Sequence, residues 1–404
     1  MKKIIYLMGV AFVVMGIAPQ AFAVPAYARQ TNLACNSCHF NSFPALNELG
    51  RSFKAGGYTM MGTQKNINGL TLPDTLNAGV VTKIRYQKSN GTTNVSSNTT
   101  NDGQLQFPDE LLLMVGGRVS ENIGAQLELN LTSKDAEPVV ESFKMPFIYN
   151  VVGLKAGFIP FTTATQGVAY GFELLNTGAV RGARIMEARN TFSAQQYIGT
   201  ATAAEGVAVV ASNAMFFANF TKWSPRSVGA ANSGSPTANY LRLAVTPSMG
   251  KWETAVGVQY WSGSATIPTL VVNNTKAYAI DAQVQGEVVA MPVGVYLTYA
   301  NASASEAGEA ANLFNSAANA KTAMTIAGQV GVLPGKVTVL MGYRKGDTGA
   351  AANNGDNSII IGGTFMLEQN VQFQLNHEMF SGSKYDIAQA NGDRLTTLML
   401  FAAF

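Results

Sequence analysis

From residue 71 to residue 404, apolar and polar residues alternate with a period of two, in one segment of about ten residues after another. Val80, Thr82, Ile84 and Tyr86 alternate with Val81, Lys83, Arg85 and Gln87. Ile123, Ala125, Leu127, Leu129 and Leu131 alternate with Gly124, Gln126, Glu128, Asn130 and Thr132. Val371, Phe373 and Leu375 alternate with Gln372, Gln374 and Asn376. Successive side chains of a strand point to opposite faces, so each segment carries one apolar and one polar face. This is the pattern of an antiparallel transmembrane β-barrel with a wet interior. Hydrophobic residues reach 47% and charged residues only 13%. Even so, no apolar run after residue 23 attains the roughly eighteen residues that a spanning helix needs.

Strands are expected near 75–87, 109–120, 123–132, 139–149, 152–159, 205–212, 214–222, 238–248, 251–262, 276–286, 290–301, 321–332, 336–346, 356–367, 370–380 and 392–404. The count is about sixteen, even as bacterial barrels require. Long connections near 88–108, 160–204, 223–237, 263–275, 302–320, 347–355 and 381–391, with a shorter one at 133–138, alternate with short ones. The short ones include Glu121-Asn122, Asn150-Val151, Ser248-Met249-Gly250, Leu333-Pro334-Gly335 and Glu368-Gln369. Long outer loops and short periplasmic turns, with both termini in the periplasm, predict this alternation. A soluble β-sandwich, the rival architecture, does not.

The chain ends at Phe404 behind Ala402, Leu400 and Leu398 in alternate positions, an apolar finish suited to the barrel-assembly machinery and to outer-membrane lipid. Ser89 to Asp102 reads as a solvated first loop. Pro160 to Ala204 falls where a third outer loop can fold inward and narrow the lumen. It carries Arg181, Arg184, Glu187 and Arg189, and the plainer reading is a solvated loop with surface charge. Lys83, Arg85, Glu128, Lys155, Glu253 and Glu378 are expected in the wet interior, whereas His377 shares the outward phase of Phe373 and Leu375, a girdle position.

Residues 1–23 have a separate logic. Lys2 and Lys3 precede an apolar segment from Ile4 to Ile17, and Ala21-Phe22-Ala23 forms a cleavage site, so a secretory signal removed before Val24 is expected. No cysteine follows the cut, and a lipid anchor is not indicated there. The net charge is +3 with 27 basic residues spread along the chain, so no concentrated patch points to nucleic acid.

Between signal and barrel lies Cys35-Asn36-Ser37-Cys38-His39, which holds both cysteines of the chain and one of its two histidines. C-x-x-C-H is the attachment signature of a c-type haem: two thiols bond the porphyrin vinyls and the histidine ligates the iron. The bland readings are a redox dithiol or half a zinc site. The adjacent His39, the exported context and the lack of a second Cys/His pair oppose them. A helix beginning near Pro44 is expected to bury Leu46, Leu49 and Phe53 and to end at Gly56-Gly57. Met60 is the favoured distal ligand, with Met61, Lys54, Tyr58 or an open site as alternatives. The ordinary role of both methionines is to fill gaps in a small core. Residues 24–70, about 45 in all, are at the edge of what folds alone and should need both a haem and a surrounding wall. The expected organisation is therefore a signal over 1–23, a monohaem cytochrome c segment over 24–70 that plugs or caps the lumen, and a barrel over 71–404.

The chain resembles the fused cytochrome-porin iron oxidases of the outer membrane in iron-oxidising bacteria. The likeness is carried by Ala28-Arg29-Gln30-Thr31, Cys35-x-x-Cys38-His39, Phe43-Pro44-x-Leu46-Asn47, Gly50-Arg51-x-Phe53-Lys54 and Gly57-Tyr58-Thr59-Met60, followed by the barrel. The resemblance implies an Fe(II)-oxidising oxidoreductase of the cell surface that passes electrons to a periplasmic c-type cytochrome. It implies one covalent haem, with Cys35 and Cys38 as thioether anchors, His39 as proximal ligand and Met60 as distal ligand. No carboxylate cluster marks an iron site. Asp102, Asp109, Glu110, Glu306, Glu309, Asp347, Asp356 and Asp386 lie in or beside expected outer loops and read mostly as solubility. A conduit for another extracellular donor or acceptor, and a solute porin with a structural haem plug, are the alternatives.

Overall fold

The computed structural model describes residues 25–92, 100–132, 139–177, 192–226, 234–266, 271–387, 390 and 392–404. The expected signal over 1–23 and the loop charges Arg181, Arg184, Glu187 and Arg189 lie outside the described residues. The strands close into a sixteen-stranded antiparallel barrel. The first four positions are β1 (Ala78–Ser89), β2 (Gln104–Ser120), β3 (Ile123–Asn130), and β4 (Val139–Lys144) with β5 (Phe147–Val151). β4 and β5 together fill one position, because both pair with the strands on either side, β3 and Leu154–Thr163. The break at Met145–Pro146, within a segment expected to run unbroken over 139–149, reflects the missing N–H of Pro146. Closure comes from β1 against the last strand, Arg394–Ala403, with Val81 opposite Ala403 and Gln87 opposite Thr397.

Alternation along each strand sorts the two faces as expected. Large apolar side chains such as Phe158, Leu243, Tyr260, Ile280 and Leu375 are exposed on the outside, while Arg85, Arg242, Gln259, Gln374 and Glu378 are buried inside. An apolar outer belt around a polar, enclosed interior is the surface of a barrel that sits in lipid. His377 keeps the outward phase of Phe373 and Leu375, and its Nδ1 lies 2.9 Å from Thr396 Oγ1 on the neighbouring strand.

Two segments fill the lumen. The first is the N-terminal stretch up to Asn77, which carries three short helices, α1 (Ala26–Thr31), α2 (Cys35–Cys38) and α3 (Glu48–Ala55). It enters from the end of the barrel that has the short turns, where Val80 and Phe404 exchange backbone hydrogen bonds. The stretch touches the wall on many sides. Arg51 is ion-paired with Glu253 and donates to Gln285 Oε1 at 2.8 Å, Lys155 Nζ donates to the Ser52 carbonyl at 3.3 Å, and Asn41 donates to the Pro292 carbonyl at 3.4 Å. On the opposite wall a Cβ at Gly124 would lie 1.8 Å from the Gly57 carbonyl oxygen, so only glycine allows this approach.

The second segment is the third long connection, and here the structure corrects the plainer expectation. The described part folds inward rather than standing in solvent. Val168, Phe172, Leu174, Leu175 and Ile198 are buried against Trp223, Tyr240 and Trp261 of the inner wall, with Phe314 joining from another long connection. Glu173 and Asp281 flank Arg242, whose Nη1 lies 2.6 Å from Asp281 Oδ2 and whose Nε lies 3.0 Å from Glu173 Oε2. Three acidic residues expected to serve solubility are instead each paired with an inward cation, Asp356 also with the more exposed Lys384. Asp109 pairs with Arg85, Glu110 with Lys83, and Asp356 with both Arg344 and Lys384. For Asp109 and Glu110 the reason is that β2 begins at Gln104, ahead of its expected start at 109, so that both lie within the wall.

Candidate cofactor cavity

The C-x-x-C-H motif is held by backbone hydrogen bonds as a single turn. α2 contains both cysteines, and the His39 N–H donates to the Cys35 carbonyl at 3.0 Å. Asn47 organises both neighbouring helices. Its Oδ1 accepts from Gly50 N–H at 3.0 Å, capping α3, and its Nδ2 donates to the Ser37 carbonyl at 2.9 Å. The cap explains why α3 starts at Glu48 and not near Pro44, since an Asn side chain satisfies the donors that a helix start leaves open. Gly56 and Gly57, the latter at φ +69°, end it as expected. A Cβ at Gly50 would come within 2.3 Å of the Cys38 carbonyl oxygen. Gly50 therefore sets how closely α3 can approach the motif.

His39 is oriented from behind. Phe40 N–H donates to the Ala45 carbonyl at 2.8 Å, and the same carbonyl lies 3.2 Å from His39 Nδ1. With the proton on Nδ1 and donated to that carbonyl, the Nε2 lone pair is the one presented as a metal ligand, the usual division of labour in ligating histidines. Burial pushes both thiols above the ordinary cysteine range, and Cys35 adds to the effect at Cys38. They are free thiols, not a disulfide.

Cys35, Cys38 and His39 line a cavity of about 370 Å³ between the plug and the wall. Such a volume lies within the usual range for small-molecule and cofactor sites, roughly 300–1,000 Å³. From the plug, Tyr27, Phe43, Leu46, Phe53 and Tyr58 also line it. The wall contributes Val81, Leu112, Met114 and Phe401, with Lys83, Glu110, Glu128 and Lys144 among them. The rings are mutually packed: Tyr27 stacks on Tyr58 at 5.1 Å, Phe53 meets Tyr27 edge-on at 5.1 Å, and Phe43 stacks on Phe401 at 4.6 Å. Wall charges are engaged with protein partners. Glu128 accepts from Gln126 and Ser142 at 2.7 Å each, and Lys144 donates to the Tyr170 carbonyl at 3.1 Å while lying over the Tyr170 ring. The lining reaches Gly335, Met366 and Gln369 at the short-turn rim in one direction and Glu141, Thr165 and Gln166 beside the inward loop in the other.

Two thiols and an imidazole nitrogen on one side of a largely aromatic and aliphatic cavity form the donor set that a covalently attached haem requires. The residues present fit that group. Of the sequence-derived site residues, Cys35, Cys38 and His39 are brought together. Met60 is not with them: it is 37% exposed and does not line the cavity, and neither does Met61. Gln30 Nε2 donates to the carbonyls of Tyr58 at 2.6 Å and Met60 at 2.8 Å, which ties this stretch to α1. Lys54 and Tyr58 do line the cavity, as do Met114 and Met366 of the wall, which the pattern of residues 24–70 does not reach. The available signal for Met114 was its phase, shared with Glu110 on the inner face of β2.

No family model and no curated protein matches the chain. Solved structures do. A Salmonella typhi OmpF, determined in complex with daunomycin, superposes with a TM-score of 0.50 at 9% identity, covering 81% of this chain and 97% of that one. A Rh. blastica porin variant reaches a TM-score of 0.48 at 13% identity, covering 82% and 100%. OmpT of Vibrio cholerae, expressed in the outer membrane, reaches 0.47 at 11% identity, covering 83% and 100%. At 9% identity the likeness to OmpF speaks for the porin-like fold and nothing finer.

Proposed function

We propose that this chain is an outer-membrane electron conduit for the one-electron oxidation of extracellular Fe(II), with a periplasmic c-type cytochrome as acceptor, in which Cys35, Cys38 and His39 would hold a c-type haem. The observation that carries the reading is the cavity itself, which bears a complete C-x-x-C-H donor set and extends along the inner wall from the short-turn rim to the base of the inward loop. When bound, a c-type haem supplies a one-electron couple whose potential follows from its axial ligands, burial and hydrogen bonding. The chain does the rest. Cys35 and Cys38 would anchor the group by thioether bonds, the Ala45 carbonyl holds the His39 ring in one orientation, and the Tyr27, Phe53 and Tyr58 rings would exclude water from one side. Fe(II) leaves as Fe(III), one electron passes to the partner, and no proton need move on the protein. The iron and the partner rest on the resemblance of residues 28–60 to cytochrome-porin iron oxidases.

A polar lumen in a porin-like fold favours a second reading, a solute porin with a structural haem. The apolar packing of the inward loop and the seating of the plug weigh against free passage. Purified protein in detergent separates the readings. Covalent haem that is reduced promptly by Fe(II) supports the proposal. Covalent haem reduced by dithionite but not by Fe(II) means another donor. Solute flux through a reconstituted barrel without productive redox exchange means a porin.

A further inference from the structure

We infer that Asn176 of the inward loop is a positioning residue for His39, acting through the single peptide group that joins Ala45 to Leu46. This inference rests on the haem reading above. His39 and Leu46 face each other in a short antiparallel bridge. It is closed on one side by Phe40 N–H donating to the Ala45 carbonyl at 2.8 Å, and on the other by Asn47 N–H donating to the Cys38 carbonyl at 3.0 Å. In that pairing the N–H and C=O of Leu46 both turn away from the motif, as on the open edge of a sheet. The Asn176 carboxamide takes both of them. Its Oδ1 accepts from Leu46 N–H at 2.8 Å and its Nδ2 donates to the Leu46 carbonyl at 2.9 Å, roles that fix which end of the amide is oxygen.

Both ends of one peptide group are thereby engaged. The Ala45 carbonyl lies 3.2 Å from His39 Nδ1, and the Leu46 N–H of the same group donates to Asn176. Hydrogen bonds in series polarise one another, so an acceptor on the N–H makes the carbonyl oxygen a stronger acceptor for the imidazole proton. A stronger bond from Nδ1 raises the basicity of the ring nitrogen that is presented as ligand. A more basic imidazole favours ferric over ferrous iron, so the link through Asn176 lowers the potential of a haem held by His39.

Asn176 can hold this peptide because the loop around it is seated on the wall. Asn176 N–H donates to Gln283 Oε1 at 2.8 Å, Thr177 Oγ1 donates to Asp281 Oδ1 at 2.7 Å, and Gln195 Nε2 donates to the Thr177 carbonyl at 3.0 Å. Asn176 is 3% exposed and Gln283 4%, so bulk water does not compete for these bonds. Arg51 Nη1 is a second donor to the Leu46 carbonyl, at 3.1 Å, whereas the Leu46 N–H is taken by Asn176. The setting of the proximal histidine therefore depends on a loop residue 130 positions further along the chain as well as on the plug itself.

The test uses full-length protein purified in detergent and compares wild type with Asn176→Leu, Asn176→Asp and Gln30→Ala. Leucine keeps the branch at Cγ and removes both hydrogen bonds, aspartate keeps the oxygen that accepts from Leu46 N–H, and Gln30→Ala loosens the plug away from this peptide. Haem staining of the denatured chain reports covalent attachment in each. The expected result is a higher haem midpoint potential in Asn176→Leu, by about tenfold in the one-electron equilibrium constant or about 59 mV, and no shift in Gln30→Ala. Asn176→Asp should hold the potential at or below that of wild type, which covers the case in which Asn176→Leu takes up no haem. Hydrogen exchange at the Leu46 amide, a readout that needs no haem, should speed up in Asn176→Leu alone. An unshifted potential or unchanged Leu46 exchange in Asn176→Leu, an equal rise of potential in Gln30→Ala, or a rise in Asn176→Asp overturns the positioning role and leaves the haem reading standing. Wild type that takes no haem stain overturns the haem reading itself, and the positioning role with it.

Discussion

The lumen is filled twice, and the two fillings are built differently. The inward loop is held by hydrophobic packing: Phe172, Leu174 and Ile198 lie against Trp223, Tyr240 and Trp261, and Glu173 locks onto a buried Arg242. Each such apolar side chain contributes about 1.5–3 kcal/mol on burial. The N-terminal plug relies more on polar links at separate points, among them Gln30, Asn41, Arg51 and Asn176, each worth about 0.5–1.5 kcal/mol net. Between those links it leaves a cavity instead of a packed core. The contrast teaches that one segment is built to close space and the other to keep space open next to a donor set.

The largest effect that could break this comparison is expected at Arg242. Replacing it with methionine leaves Glu173 and Asp281 facing each other in a buried site, at a cost of about 3–5 kcal/mol. Urea unfolding in detergent should report that loss with haem attachment retained; a loss below about 1 kcal/mol would show that packing alone holds the loop. A smaller and more local effect is expected at Gly50. Alanine there meets the Cys38 carbonyl oxygen at 2.3 Å, an overpacking of about 1–3 kcal/mol confined to the plug. Haem staining should fall while the heat-resistant mobility of the folded barrel on gels is kept; unchanged staining would mean that α3 and the motif can shift apart freely. The smallest is expected at Gln30. Its fully buried amide links Tyr58 and Met60 to α1, and its Oε1 accepts from the Arg118 N–H of β2 at 2.8 Å. Alanine should cost about 1–3 kcal/mol. Hydrogen exchange should speed up over residues 58–62 and remain unchanged over 192–200, and equal acceleration in both places would erase the distinction between the two fillings.

Much of the wall was legible in the sequence because a strand's face is a local property. Lys83, Arg85, Glu128 and Glu378 point inward as their phase requires, and His377 points outward. Asp109 and Glu110 read as loop-edge residues when β2 is taken to start at 109; it starts at Gln104, which puts both inside the wall. The inward fold of the third connection left a signal that charge counting obscured. Val168, Tyr170, Phe172, Leu174 and Leu175 are too apolar a run for a solvated loop.

The sequence by itself determined the barrel, the inside and outside of its strands, and the spacing of the C-x-x-C-H motif. Each depends on spacings of one to a few residues, and sterics and covalent chemistry read those spacings directly. Only the tertiary structure decided what faces the motif. Arg51 meets Glu253 across 202 residues, Leu46 meets Asn176 across 130, and Met114 reaches the cavity because the barrel closes around the plug. Contacts of that range are set by strand register and closure, which bring together residues that no local pattern connects.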